Sequence, residues 1–170
     1  LEAGEDVVTF PLADGTVVGL ATCYDLRFPE MFRRLLDAGA QVVLVHDAVR
    51  PLVPATVVAR VIATIREGAV AVAPAIAVSD SIREETDDGR LVIVDRNRLR
   101  AVQTPQGFRR EVLERAHASG LQATDDAALV ELCGDDVVVV EGHPLGAKVT
   151  TADDLERAQW LLDRAATLGE

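Results

Sequence analysis

Three polar residues, His46, Asp47 and Arg50, follow directly on the apolar run Val42–Val45. Four branched residues without a polar interruption predict a strand that is buried on both faces. Ligands of open α/β sheets bind at the carboxyl ends of the strands, so polar side chains at this point are candidates for binding and chemistry. The alternative is a strand end at which Asp47 binds turn amides and Arg50 is solvated.

A second candidate is a basic cluster between positions 95 and 110, in which Asp95 is the single acid. Its members are Arg96, Arg98, Arg100, Arg109 and Arg110. In a chain whose net charge is -11, such a cluster favours a site for an anionic small molecule, because guanidinium groups bind phosphates and carboxylates in bidentate geometry. The alternative is that alternate arginines cover the solvated face of a strand.

Cys23 lies between a predicted strand and a predicted helix that begins at Pro29. A helix N-terminus lowers the pKa of a nearby thiol, and this would make Cys23 a candidate nucleophile. A lone cysteine is more often a small buried hydrophobe. Cys23 and Cys133 show neither metal nor disulfide spacing, which favours a reducing, cytoplasmic location.

The elements that would position these residues alternate along the chain. The predicted strands are Val7–Leu12, Thr16–Thr22, Val42–Val45, Ala69–Ile76, Leu99–Thr104 and Val137–Glu141. The predicted helices are Pro29–Ala38, Pro54–Glu67, Arg109–Ser119, Asp125–Leu132, capped by Thr124, and Thr151–Leu168, with a capping box of Thr151 and Asp154. The alternation predicts one compact α/β domain of three layers, with a mostly parallel sheet between helices on both faces. Ser79–Asp95 is predicted to be a hairpin that projects from this body.

The composition excludes several classes of protein. Apolar residues make up 49% of the chain and charged residues 26%, which is typical of a soluble globular domain. The negative net charge argues against nucleic acid or an anionic membrane as partner. No apolar run approaches the roughly 20 residues of a membrane helix, and the short acidic Leu1–Asp6 is not a leader.

Five segments from the predicted strand Val42–Val45 onwards resemble, in order and spacing, the 2-C-methyl-D-erythritol 4-phosphate cytidylyltransferases. They are VLVHDAVRPLV, VSDSIRE, VDRNRLRAVQTPQGF, TDDAALVE and VEGHPLGAKVTTADDL. The resemblance covers residues 46–170. It implies a nucleotide-diphospho-sugar transferase-like fold and transfer of a cytidylyl group from CTP to a phosphate monoester, with release of pyrophosphate, in isoprenoid precursor synthesis. Mg²⁺ would be held mainly through the CTP phosphates, with no metal ligands from the chain.

The same resemblance implies roles for particular residues. Arg96 and Lys148 would position the attacking phosphate monoester. The residues that would bind the polyol part of the substrate are Asp47, Arg50, Thr104, Thr124 and Ser81, the last at a position where the family usually has threonine. The hairpin at about 78–95 would be a dimerisation arm, so that the chain forms a homodimer and the arm reaches the partner's site.

Residues 1–45 depart from that family, because its glycine-rich CTP-binding loop has no counterpart in the chain. Instead, GLATCYDLRFPE followed by GAQVVLV resembles the nucleophile region of the nitrilase and carbon–nitrogen hydrolase superfamily. There a cysteine, Cys23 here, attacks an amide or nitrile carbon with the help of a glutamate and a lysine that precede it. We therefore predict a chimera, in which a nitrilase-like strand and helix (1–45) are grafted onto a cytidylyltransferase-like part (46–170). The predicted function is cytidylyl transfer with impaired CTP binding; the alternatives are a Cys23-dependent hydrolase and a non-catalytic dimeric module.

Overall fold

The structure, a computed structural model, describes the backbone of residues 7–22 and 29–168 and the side chains of residues 7–22 and 33–164. The strands are β1 (Thr9–Pro11), β2 (Val17–Thr22), β3 (Val42–His46), β4 (Ala71–Ala77), β5 (Arg83–Glu85), β6 (Leu91–Ile93), β7 (Arg100–Val102), β8 (Gln106–Arg109) and β9 (Val137–Glu141). The helices are α1 (Pro29–Asp37), α2 (Ala55–Arg66), α3 (Arg110–Ala118), α4 (Asp126–Leu132) and α5 (Ala152–Leu168). Short 3₁₀ turns lie at Arg96–Arg98 and Pro144–Gly146. None of the helices in the described part of the chain has the length and apolar character needed to cross a membrane.

One seven-stranded sheet forms the middle layer, in the order β1-β2-β3-β8-β4-β7, with β9 also paired to β4. The two faces of β3 divide the core between them. Val43 and Val45 pack with residues of α1, α3 and α4, whereas Val42 and Leu44 pack with Val61 and Ile65 of α2. The predicted three-layer α/β architecture is therefore confirmed.

The sheet is mixed in direction. β2, β3, β4 and β9 run one way, as predicted for strands that alternate with helices, while β1, β7 and β8 run the other way. β8 was not predicted, because its sequence QGFR has little strand character. Gly107 is nevertheless required there: a Cβ at this position would lie 2.5 Å from Val61 Cγ1 of α2. Because Gly107 has no side chain, α2 can pack closely against β8. Gly107 therefore supports this strand, although glycine has a low propensity for strands.

Both predicted hairpins are present. β1 and β2 pair antiparallel at the edge of the main sheet. β5 and β6 form a separate two-stranded sheet, which we call the arm. The side chains of β6 are exposed: 62% for Leu91, 47% for Val92 and 75% for Ile93.

The helix termini differ in detail from the predictions. Asp125, not Thr124, caps α4, since the Asp125 carboxylate accepts a hydrogen bond from the backbone N–H of Ala128 at 2.8 Å. The capping box of α5 is confirmed: Asp154 accepts from the Thr151 backbone N–H at 3.0 Å, and Thr151 Oγ1 accepts from the Asp154 N–H at 3.2 Å. Hydrogen bonds from the Thr150 and Thr151 backbone and the Thr151 hydroxyl lower the pKa of Asp154 to about 2.

Candidate active site

Three segments meet at the carboxyl end of β3. Asp47 follows β3, Thr104 precedes β8, and Lys148 lies in the loop between β9 and α5. The Asp47 backbone N–H donates to Thr104 Oγ1 at 2.9 Å, and Asp47 Oδ2 lies 2.9 Å from Lys148 Nζ. The structure thus brings together three of the predicted site residues, of which Asp47 and Thr104 are 57 residues apart in the chain.

Asp47 lies between two cations. Besides Lys148, its Oδ2 is 3.4 Å from Arg50 Nε. The carboxylate that pairs with Lys148 thus comes from a distant segment of the chain and not from its sequence neighbours. The Lys148 side chain is still 49% exposed, and an ammonium group carries three donors, so that one side of it faces outwards.

Arg50 is buried behind the site and forms hydrogen bonds to its backbone. Only 8% of the residue is exposed. Its Nη1 donates to the carbonyl of Gly146 at 2.5 Å and its Nη2 to the carbonyl of Val102 at 3.4 Å. The guanidinium therefore holds the loop that carries Lys148. Arg50 also lines a groove with His46 and Pro105, and its contact with the polyol stays a prediction.

Gln103 holds the same loop and was missed by sequence reasoning. It is 3% exposed, and its side-chain amide both donates to the His143 carbonyl and accepts from the His143 N–H, each at 3.0 Å. A Cβ on Gly142 or Gly146 would lie 2.4 or 2.9 Å from Gln103 Oε1. Gly142 and Gly146 of the segment EGHPLG thus leave the space that the Gln103 side chain occupies. Both glycines are visible in the sequence, but the reason for them is seen only in the folded chain.

His46 connects the strand end to Thr104. Its Nδ1 is 3.0 Å from Thr104 Oγ1 and its Nε2 is 3.2 Å from the Arg50 carbonyl oxygen. Burial is the main cause that lowers the pKa of His46 below its ordinary value; the charge of Arg50 lowers it further, against the opposing effects of the Arg50 carbonyl and Asp47. His46 is among the polar residues at the end of β3, but nothing in the sequence indicates its link to Thr104.

The predicted phosphate ligand Arg96 lies at the base of the arm. It donates to the carbonyl of Ser79 and lines a groove there together with Ser81 and Ile82. Among the described residues, no hydrogen bond or ion pair joins Arg96 or Ser81 to Lys148 of the same chain. Thr124 is exposed beside Asp125, whose Oδ2 accepts from Gln106 Nε2 at 3.0 Å. Cys23 lies outside the described residues.

The basic cluster is not one site. Arg109 pairs in the sheet with Val42, at the amino end of β3, and its Nε donates to the Ala69 carbonyl at 3.2 Å. Arg110 lies 3.4 Å from Glu114. These two arginines are therefore at the end of β3 opposite Asp47, and the prediction of a single anionic site from all five arginines is wrong.

The described residues do not fit a protein-held Mg²⁺ site. They contain no group of three or more histidine, cysteine, aspartate or glutamate side chains arranged to hold a metal ion. Mg²⁺ prefers carboxylate oxygens, and the carboxylate of Asp47 already has Lys148 and Arg50 as partners.

Comparison with known proteins identifies most of the chain. The profile of the family IspD: 2-C-methyl-D-erythritol 4-phosphate cytidylyltransferase matches residues 33–164. The chain belongs to this family. It is 50% identical over 125 residues to the enzyme of that name from Saccharopolyspora erythraea, covering 72% of this chain and 56% of the relative. The corresponding protein of Nocardia farcinica is 47% identical over 126 residues, 74% of this chain and 55% of the relative. The chain thus spans about half the length of the curated relatives it matches.

Solved structures of IspD proteins confirm the fold. The 2-C-methyl-D-erythritol 4-phosphate cytidylyltransferase from Thermus thermophilus matches with a TM-score of 0.67 and 40% identity, over 76% of this chain and 66% of that one. The 4-diphosphocytidyl-2C-methyl-D-erythritolsynthase from Anaerococcus prevotii matches with a TM-score of 0.72 and 29% identity, over 84% of this chain and 68% of that one.

These matches extend into the segment that resembles a nitrilase. The family profile begins at residue 33, before the predicted junction at residue 45. The Anaerococcus structure covers 84% of this chain, which is more than residues 46–170 can supply. Part of the first 45 residues therefore takes a place that the IspD fold also has. The comparisons support neither a nitrilase-like segment nor a chimera.

Proposed function

We propose that this chain forms the acceptor side of a site that transfers a cytidylyl group from CTP to 2-C-methyl-D-erythritol 4-phosphate. The observation that carries the proposal is the half-exposed Lys148, held 2.9 Å from Asp47 at the carboxyl end of β3 in a chain of the IspD family. An ammonium group anchored in this way offers a fixed positive charge to a phosphate monoester.

The arrangement of charges orients the acceptor. A phosphate is repelled by the Asp47 carboxylate, so it binds on the outer side of Lys148. The polyol hydroxyls then face Asp47 and Thr104, whose oxygens accept hydrogen bonds. In the reaction, an oxygen of the acceptor phosphate bonds to the α-phosphorus of CTP, and the bond to the bridging oxygen breaks as pyrophosphate takes the electron pair. Several negative charges meet in this step, and Lys148 lowers its barrier by neutralising part of that charge.

We infer that Arg96 acts on the site of a partner subunit in a homodimer. Arg96 lies at the base of the arm, and no described contact joins it to Lys148 of its own chain. The arm exposes Leu91, Val92 and Ile93, and a two-stranded hairpin is marginally stable unless a surface covers it. A twofold partner that supplies the same arm in return provides that surface.

We expect CTP and Mg²⁺ to bind together, since Mg²⁺ would be held mainly by the CTP phosphates. No glycine-rich run with an arginine and a lysine occurs in the 170 residues, and backbone amides of such a loop are hard to replace by side chains. We propose that the polypeptide of these residues binds the acceptor and binds CTP weakly. The cytoplasmic location rests on the free thiol of Cys133, and the absence of a nucleic-acid partner rests on the net charge of -11.

No observation favours a Cys23-dependent hydrolase. The single lysine of the chain is engaged with Asp47, whereas in nitrilases a lysine assists the cysteine. A non-catalytic dimeric module is the outcome if the acceptor does not bind.

Calorimetric titration of 2-C-methyl-D-erythritol 4-phosphate tests the proposal. Lys148→Ala and Arg96→Ala should each weaken binding by about 1.5–3 kcal/mol, the usual worth of a charge-assisted hydrogen bond. Arg98→Ala is the matched control, since Arg98 is an exposed arginine two residues from Arg96, and should bind as the unchanged chain does. Absence of binding by the unchanged chain would overturn the proposal, and unchanged affinity in either variant would remove that residue from the site.

A further inference from the structure

Thr104 has a hydrogen-bonding pattern that leaves one position open. Its hydroxyl oxygen accepts from the Asp47 N–H at 2.9 Å and lies 3.0 Å from His46 Nδ1. A threonine hydroxyl has one proton and two lone pairs. The half-buried Thr104 therefore keeps a third position for a ligand, and the proton on the His46 side decides whether that position is a donor or an acceptor.

The Arg50 carbonyl fixes the tautomer of His46. This oxygen lies 3.2 Å from His46 Nε2, and a carbonyl oxygen only accepts, so Nε2 carries the proton of the neutral ring. His46 Nδ1 is then a lone-pair acceptor, and the Thr104 hydroxyl donates its proton to it. One lone pair of Thr104 remains, directed away from both protein partners.

We propose that His46 is a positioning residue that determines specificity by making the Thr104 hydroxyl an acceptor, so that Thr104 binds a hydroxyl of the substrate and rejects an anionic oxygen. The inference rests on the proposed function, because it assigns the polyol part of the acceptor to Thr104 and leaves the phosphate to Lys148. His46 acts on the substrate through Thr104, since its ring nitrogens lie 3.0 Å from Thr104 Oγ1 and 3.2 Å from the Arg50 carbonyl oxygen.

Protonation of His46 reverses this preference. A protonated Nδ1 donates to Thr104 Oγ1, whose two lone pairs are then both occupied by His46 and the Asp47 N–H. The hydroxyl proton turns to the open position, and Thr104 becomes a donor. Asp47 and Arg50 are the charged groups that act on the ring, and Lys148 acts on it through its ion pair with Asp47. Burial lowers the pKa of His46, so the ring is neutral and Thr104 an acceptor at neutral pH.

Nitrogen NMR of the imidazole rings in the full chain tests the tautomer without any ligand. The chain has three histidines, and His46→Asn identifies the His46 signals by their loss. At about pH 8, where an ordinary histidine is neutral, we expect a protonated Nε2 and an unprotonated Nδ1. A proton on Nδ1 of the neutral ring would overturn the inference.

Titration of 2-C-methyl-D-erythritol 4-phosphate tests the consequence at two pH values: about pH 8, and a pH below the His46 pKa that the NMR titration of the ring gives, since that pKa lies below the ordinary value. The Asn side chain places Oδ1 where His has Nδ1, so His46→Asn keeps an acceptor for Thr104 and does not titrate. We expect the unchanged chain to lose about tenfold more affinity at the lower pH than His46→Asn does, the effect of one hydrogen bond lost. Titration of the ligand phosphate, with a pKa near 6, affects both proteins equally.

Two further variants separate the roles. His46→Leu removes the acceptor and should bind about tenfold more weakly at both pH values. Thr104→Val removes the hydroxyl and should lose the additional pH dependence. An equal fall in the unchanged chain and in His46→Asn would overturn the inference while leaving the proposed function intact. If the unchanged chain binds at neither pH, the proposed function fails together with the assignment of the polyol, and the NMR result alone decides the His46–Thr104 geometry.

Discussion

The carboxyl end of β3 and the arm organise polar groups in opposite ways. Around Asp47, side chains from distant segments bind one another and the backbone, with Arg50 and Gln103 buried behind them. In the arm, the side-chain hydrogen bonds of the described residues stay within the turn between β5 and β6: Thr86 Oγ1 donates to Asp88 at 2.5 Å and Arg90 Nε lies 2.7 Å from Asp88. The cluster around Asp47 is therefore assembled from distant segments of one chain, whereas the arm is a local structure whose apolar strand β6 is left exposed.

The two regions draw their stability from different contacts. Residues around Asp47 are fixed by contacts across the sheet, so breaking one of them affects global unfolding. Residues of the arm contribute little to the single chain and are expected to act through a partner.

The largest effect should come from Gln103→Leu. The substitution leaves both the N–H and the carbonyl of His143 without their buried partner, and each unsatisfied group costs about 1–3 kcal/mol. We expect the free energy of unfolding to fall by about 2–4 kcal/mol, as measured by urea denaturation. Gln122→Leu, at an exposed position, is the control and should change it by less than about 0.5 kcal/mol. Equal effects in the two variants would show that the Lys148 loop is not held by Gln103.

A substitution in the arm should instead weaken dimerisation and leave the stability of the single chain nearly unchanged. Ile93→Asp places a charge on the most exposed apolar side chain of β6, and it should weaken a dimer by about 2 kcal/mol or more, as at the centre of an interface. Unfolding of the single chain should change by less than about 0.5 kcal/mol. Sedimentation of the unchanged chain, Ile93→Asp and the polar control Glu84→Gln measures this. A monomer for the unchanged chain at tens of micromolar, on the order of the dissociation constant of a weak dimer, would remove the role proposed for the arm.

Local patterns predicted the elements around the site but not the contacts inside it. The apolar run of β3 and its abrupt polar end are visible in the sequence, and so are the helices whose apolar residues recur at helical spacing, such as Val57, Val61 and Ile65 of α2. β8 was missed because its support comes from the close approach of α2 at Gly107, which no local pattern records.

The contacts of the charged residues likewise cannot be predicted from local sequence. The buried position of Arg50 and the ion pair of Lys148 with Asp47 depend on segments about a hundred residues apart, and spacing along the chain does not reveal them. Clustering in sequence does not imply clustering in space: Arg96 and Arg109 belong to one basic stretch, but Arg96 lies at the base of the arm and Arg109 pairs with Val42 in the main sheet. In α5, Leu155 and Leu162 are exposed, whereas Ala158 and Leu161 line a groove together with Lys148 and its neighbours in the loop.

Removal of one threonine hydroxyl in each region should change the free energy of unfolding by a smaller amount, which should differ between the two regions. Thr151→Ala removes the cap of α5, directly after the Lys148 loop, and should lower the free energy of unfolding by about 1 kcal/mol. Thr86→Ala removes hydrogen bonds of the arm turn and should lower it by less than about 0.5 kcal/mol, because a hairpin opens locally. Thermal and urea unfolding of both variants provide the measurement. A larger loss for Thr86→Ala would mean that the arm is coupled to the core of its own chain.

The smallest effect concerns the pH dependence of stability at His46. Its pKa in the folded chain lies below the ordinary value of 6.5, mainly because of burial. Between these two pKa values the unfolded chain binds more protons than the folded one, so the free energy of unfolding rises with pH. This contribution is fully present above about pH 6.5 and is lost as the pH falls through the folded pKa. His46→Asn should flatten this part of the profile, whereas no titrating histidine lies in the arm and Ile93→Asp should leave it unchanged. A profile in His46→Asn as steep as that of the unchanged chain would assign the pH dependence to other groups and weaken the case for a neutral ring beside Thr104.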